Sequence, residues 1–247
     1  ELDEYEKAAA SFQLANALEF KPHLARLYTG ISYVRTGAVC EGERELQDLL
    51  AELSTTSLRP ETCLGTPEES GERVTVKELA ALAEINIVAS LTDRDARLEQ
   101  NLVRLGEVKQ RVGNGAVNSD VLLANIADVE GWTRFRLNKE LEEILQCLKD
   151  SIEKLPSAEA YLHLALVHAE CSHRKGEDCS VHQKRARDFA RLATRMGLAE
   201  RQQVQLDDAL RMLAVRPGDQ AVNEGAQKPL AGLASANGSG LHKAGEV

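Results

Sequence analysis

The sequence predicts an all-α fold, and three observations carry that prediction. Aromatic residues are only 4% of the 247, while Ala, Leu, Glu and Arg dominate, a mixture that favours helix over the β-branched and aromatic surfaces sheets use. Apolar residues recur at helical spacing in one segment after another. All six prolines, at 22, 60, 67, 156, 217 and 229, fall at segment ends, in a loop or in the tail, where a missing N–H costs least. With 43% apolar residues the chain can bury a sizeable core.

Taken in order, the first helix is expected from Leu2 to Phe20, with Ala8, Phe12, Ala15 and Leu18 on one face and Pro22 marking its end. A second spans His23 to Thr36 and stops at Gly37; a third, Gly42 to Leu53, places Leu46, Leu49, Leu50 and Leu53 inward. Residues 54–74, rich in Ser, Thr, Pro and Gly, read as a long loop. Thr75 and Glu78 form a capping-box pattern ahead of Leu79, Leu82, Ile85, Val88 and Leu91, a helix apolar nearly all round and hence central. Thr92 with Asp95 repeats that signal before a fifth helix, which Gly113 closes. The sixth is expected from Ser119 to Trp132, and Leu137, Leu141, Ile144, Leu148, Ile152 and Leu155 make the stripe of the seventh. Ser157 to Ser172, Val181 to Met196 and a short terminal piece from Ala199 to Ala214 complete the set. Residues 1–215 are therefore expected to form one helical domain, and residues 216–247, without any apolar period, a disordered tail.

Helices in pairs of about 34 residues prompt a search for an internal repeat. Gly30, Tyr33, Gly37, Gly42 and Leu46 follow the small–aromatic–turn–small order of a tetratricopeptide unit, with Arg26 and Thr29 in place of the usual large apolar residues. Tyr5, Ala8, Phe12 and Ala15 are similar to a second helix of such a unit. Tyr161, Leu164, Ala165 and His168 resemble a first helix, and Ala186, Ala190 and Ala193 a second, separated by a turn nine residues longer than the family's. The chain thus resembles tetratricopeptide-repeat proteins over its first fifty residues and over Ser157 to Gly197. That resemblance implies antiparallel helix pairs stacked as a superhelical solenoid, with no catalysis of its own and a protein or peptide held in the concave groove. An irregular helical bundle is the alternative. Because the first helix stands without its partner, the array is expected to continue upstream. In this register Leu27, Ile31 and Val34, with Leu162 and Leu166, face the groove; in the alternative reading these aliphatics face other helices in a closed core. Being aliphatic, they predict an apolar or amphipathic helical segment as the partner.

Lys+Arg of 30 against Asp+Glu of 39 gives a net charge of −9, which argues against general nucleic-acid binding and against anionic membranes. No apolar stretch is long enough to span a bilayer, no signal-peptide pattern opens the chain, and five cysteines are an odd number at low density. A soluble protein of the reducing cytoplasm is the expectation. One basic stripe stands out: Lys184, Arg187, Arg191 and Arg195, at spacings of three, four and four, share one face opposite Ala186 and Ala190. As a functional feature it would receive a phosphate or an acidic peptide; as a structural one it is the solvated face of an amphipathic helix.

The densest set of reactive side chains is Cys171, His173, Cys179 and His182, which flank a polar break at residues 174–180. Four N and S donors around a tight loop would satisfy tetrahedral Zn²⁺ and staple the lengthened turn; a Cys171–Cys179 disulfide and a solvated polar insertion compete with that reading. A zinc- or redox-responsive domain is accordingly the rival function. No phosphate-binding glycine loop, Gly-x-Ser-x-Gly or His-Glu-x-x-His motif is present, so no catalytic residue is expected. The leading expectation is a scaffold, adaptor or sensing domain without cofactor.

Overall fold

The computed structural model describes residues 2–18, 21–56, 59, 62–64, 74–113, 119–173 and 179–214. Ten helices account for nearly all of them: α1 (Leu2–Ala17), α2 (Pro22–Thr36), α3 (Val39–Thr55), α4 (Val76–Asp93), α5 (Leu98–Gly113), α6 (Ser119–Arg136), α7 (Leu141–Lys154), α8 (Ala158–Cys171), α9 (Cys179–Met196) and α10 (Glu200–Ala214). The fold is all-α. Within the stretch read as a loop, β1 (Cys63–Leu64) pairs antiparallel with β2 (Val74–Thr75), and α3 extends to Thr55. Residues 65–73 of that loop, and the expected tail at 216–247, lie outside the described residues.

Helix ends obey local chemistry. The Glu78 N–H donates to Thr75 Oγ1 at 3.2 Å and the Thr75 N–H donates to Glu78 Oε2 at 2.7 Å, so the capping box before α4 is complete. Ser157 caps α8 through its hydroxyl, 3.1 Å from the Ala160 nitrogen. Gly37 (φ 94°) and Gly197 (φ 91°) end α2 and α9 in the left-handed conformation that lacks a steric cost only for glycine.

Two boundaries correct the sequence reading. Thr92 caps nothing: it lies inside α4 and is fully buried. Asn101 Nδ2 donates to Thr92 Oγ1 (3.2 Å), the Thr92 and Thr133 hydroxyls lie 3.0 Å apart, and Thr133 donates to the Val129 carbonyl at 2.7 Å. This chain satisfies buried hydroxyls across α4, α5 and α6, and tertiary burial overrides the cap signal. Leu137, read as the first residue of the seventh stripe, instead follows α6, which ends at left-handed Asn138 (φ 54°); α7 starts at Leu141.

Burial sorts the helices into two kinds. In α4 and α8, and in α6 from Leu122 onward, no residue of the helix body before its last turn is exposed, whereas α3, α5, α7 and α9 each bury a single stripe. Each even-numbered helix from α2 packs on its neighbours in sequence and on the next even-numbered helix, giving α2 on α4, α4 on α6, α6 on α8 and α8 on α10. The hydrophobic clusters follow the same period. Leu27, Leu46 and Leu79 join α2, α3 and α4. Ile85, Leu105 and Ile126 join α4, α5 and α6. Phe135, Leu148 and Leu164 join α6, α7 and α8. Leu162, Ala186 and Leu206 join α8, α9 and α10.

Glycine sets the closest crossings. A Cβ on Gly30 would stand 2.8 Å from Leu46 Cγ, and one on Gly131 would stand 2.8 Å from Leu148 Cγ, so α2 on α3 and α6 on α7 repeat one geometry. Across the inner layer, Arg35 at the end of α2 forms an ion pair with Glu159 in the first turn of α8, two helices that otherwise lie apart in the packing order. Among the described residues no helix is long and apolar enough to cross a membrane.

Candidate functional site

The five aliphatics expected to line a groove face inward instead. Leu27 is fully buried in the α2–α3–α4 cluster and Ile31 packs against it. Val34 is half-buried, with its methyl 2.7 Å from where a Gly42 Cβ would stand. Leu162 and Leu166 are buried with Trp132, Ala190 and Leu206. The reason is the even-on-even packing: the face that would have been concave and open is occupied by the next helix of the inner layer.

The Cys/His cluster does not assemble as a tetrahedral set. His182 turns to His168, with the two Nδ1 atoms 2.8 Å apart, while Cys171 is buried and His173 exposed. Cys171 and Cys179 form no disulfide. Among the described residues no group of three His, Cys, Asp or Glu side chains is placed to hold a metal ion. His168 is buried and stacks on Phe189 at 5.6 Å. Burial, together with positive charge from His182, Arg185 and Lys149, lowers its pKa from 6.5 to about 4. His168 is therefore neutral at pH 7, and of the two facing Nδ1 atoms one donates and the other accepts.

That pair makes stability depend on pH. In the unfolded chain His168 binds a proton near pH 6.5, in the folded chain only near pH 4, so the folded form is favoured above pH 6.5 and loses this contribution as pH falls toward 4. The loss is on the order of 1 kcal/mol, less than the full shift implies, because His182 is half-exposed and water screens the pair. Urea midpoints of wild type and His168→Phe at pH 7.5 and 4.5 measure it. The wild type should lose more than the variant; equal losses would remove the pair from the acid response.

The richest polar and aromatic constellation lies elsewhere, at the inner seam of α4, α6 and α8, around the only tryptophan. Trp132 is buried, and its Nε1–H donates to Asp93 Oδ1 at the end of α4 (3.0 Å). The His163 ring of α8 lies flush on the indole, centroids 4.5 Å apart and planes within 10°, and Phe135 stacks at 5.2 Å. The Arg136 guanidinium lies 5.6 Å from the indole centre and grips Asp95 in a two-point contact, with Nε to Oδ1 at 2.7 Å. Asp128 Oδ1, one turn before Trp132, accepts from His163 Nδ1–H at 2.8 Å. A carboxylate can only accept here, so it fixes the proton on Nδ1 and leaves Nε2 as the acceptor when the ring is neutral.

Sequence reasoning missed this site because it ended the sixth helix at Trp132. The signal was present: Asp128, Trp132 and Arg136 at spacings of four form one stripe, legible only if the helix continues to Arg136. Among the described residues no serine, threonine or cysteine side chain hydrogen-bonds to His163, and burial pushes the Cys147 thiol up, with Arg134 Nη1 3.4 Å from its sulfur. The seam's chemistry is thus orientation of one imidazole by a carboxylate and an indole.

The basic stripe is where the helical period placed it. Lys184, Arg187, Arg191 and Arg195 are exposed on α9, opposite buried Ala186, Ala190 and Ala193. No protein-family model matches the chain, and no curated protein or solved structure matches it.

Proposed function

We propose that the chain is a tetratricopeptide-like superhelical stack serving as a non-catalytic scaffold, adaptor or sensing module that binds a protein or peptide. One observation carries the reading: four successive hydrophobic clusters, centred in turn on α2–α3–α4, α4–α5–α6, α6–α7–α8 and α8–α9–α10 and so advancing by two helices at a time, the last also taking in Trp132 of α6. A single-core bundle would merge them, whereas an array of two-helix units builds its interior as repeating interfaces between neighbours. The crossings support the same register. Ala165, buried in α8, follows Gly131 of α6 by 34 residues, the tetratricopeptide period.

Such a stack binds through surfaces distributed along its helices. With the aliphatics of α2 and α8 committed to the interior, its partner would be recognised by polar and charged side chains. The test is affinity capture of the intact chain, followed by reconstitution of each candidate complex from purified components. A saturable one-to-one complex whose formation survives removal of metal by chelator supports the scaffold; failure of every captured protein to bind in the purified system overturns it.

A further inference from the structure

Resting on the scaffold reading, we propose that the outward face of α9 docks an acidic, helical segment of a partner protein. Several arginines outside α9 are held in ion pairs. Arg26, Arg35, Arg94, Arg111, Arg134 and Arg136 all bond to carboxylates on other turns or other helices. On α9 only Arg191 has such a partner, Asp188 one turn before it, at 3.2 Å and well exposed. Lys184, Arg187 and Arg195 are exposed without an ion pair to any described residue. In a chain of net charge −9, α9 thus carries five cations, Lys184, Arg185, Arg187, Arg191 and Arg195, against the single carboxylate of Asp188. Such a surface attracts anions and repels other basic proteins.

The partner's chemistry follows from the length and texture of the stripe. Lys184 to Arg195 covers three turns of helix, about 16 Å. The outer helices α3 and α7 are acidic, with Glu41, Asp48 and Glu52 exposed on α3 and Glu142, Glu143 and Glu153 on α7. A duplex of nucleic acid extending past the three turns would face a chain whose net charge of −9 repels its phosphates. A short acidic segment would stay within the three turns. Val181, Leu192 and Met196, each 38–48% exposed, flank the cations and give the partner apolar footholds. A helix bearing Glu or Asp along one face, with Leu beside them, complements both features.

The probe is a synthetic 18-residue helix with Glu at successive four-residue spacings and Leu flanking them, labelled for anisotropy and titrated with the full chain. A scrambled peptide of the same composition, a 20-base-pair DNA duplex and phosphatidylserine vesicles serve as comparators. We expect the phased peptide to bind at least tenfold more tightly than the scrambled one, the duplex or the vesicles. We also expect the triple variant Lys184→Glu, Arg191→Glu, Arg195→Glu to lose at least tenfold in affinity with an unchanged helical spectrum. The glutamine triple variant keeps the test interpretable should charge reversal disturb folding. Wild-type affinity in both variants, equal binding of the scrambled peptide, or tighter binding of the duplex or vesicles overturns the proposal. A captured partner that binds wild type and triple variant alike would leave the scaffold standing and remove α9 as its docking face.

Discussion

Replacing Gly42 with leucine should remove about 3 kcal/mol or more of stability. A Cβ at this position would stand 2.6 Å from the Gly30 carbonyl oxygen and 2.8 Å from the Val34 nitrogen, both backbone atoms of α2. Backbone in a helix cannot rotate away as a side chain can, so α2 and α3 must separate and open the cluster around Leu27 and Leu46. Alanine at 42 meets the same two atoms and should be destabilising despite its better helix propensity. Gly106 in α5 is the control: a Cβ there meets nothing within 4 Å, so Gly106→Ala should stabilise by about 0.5–1 kcal/mol. Urea unfolding followed by circular dichroism reads all three. A Gly42→Leu midpoint within error of the wild type would show that α2 and α3 do not cross here.

Leu27→Arg and Leu162→Arg should each cost about 3–5 kcal/mol, because each puts an unpaired charge where the leucine is at most 2% exposed. The same substitutions discriminate between two architectures. Were these leucines in an open groove, arginine would reach water and stability would hardly change. In the closed packing found here, Leu27 meets α3 and α4, and Leu162 meets α9 and α10, leaving the guanidinium no exit. Ile31→Arg, at a half-buried position against the same cluster as Leu27, should fall between the two limits. Thermal melts in which Leu162→Arg keeps the wild-type midpoint would return the inner face to solvent.

The fold class was legible because it rests on local patterns. Thr75 with Glu78, Gly37, Gly197 and Ser157 mark ends that depend on a few neighbouring residues, and each is an end in the structure. The same reasoning failed where a distant residue outbid the local one. Thr92 is as good a cap residue as Thr75, but Thr133 and Asn101 bury its hydroxyl, and α4 runs past it. Leu137 belongs to the apolar period of α7, yet the chain turns at Asn138 before that period begins.

By itself, then, the sequence determined that this chain is helical, where most helices begin and end, which face of each outer helix turns inward, and that α9 carries its cations outward. Those properties arise from backbone propensity, capping and a period of 3.6 residues, all set within a dozen residues. The tertiary structure decided what the inner helices meet. Whether Leu27 and Leu162 face a groove or a neighbouring helix, whether His182 turns to His168 or to His173, and that Asp93, Asp128, Trp132 and His163 converge depend on residues brought together from up to seventy positions away. Helical periodicity specifies that a face is apolar; which surface covers it is set by the packing of one helix pair on the next.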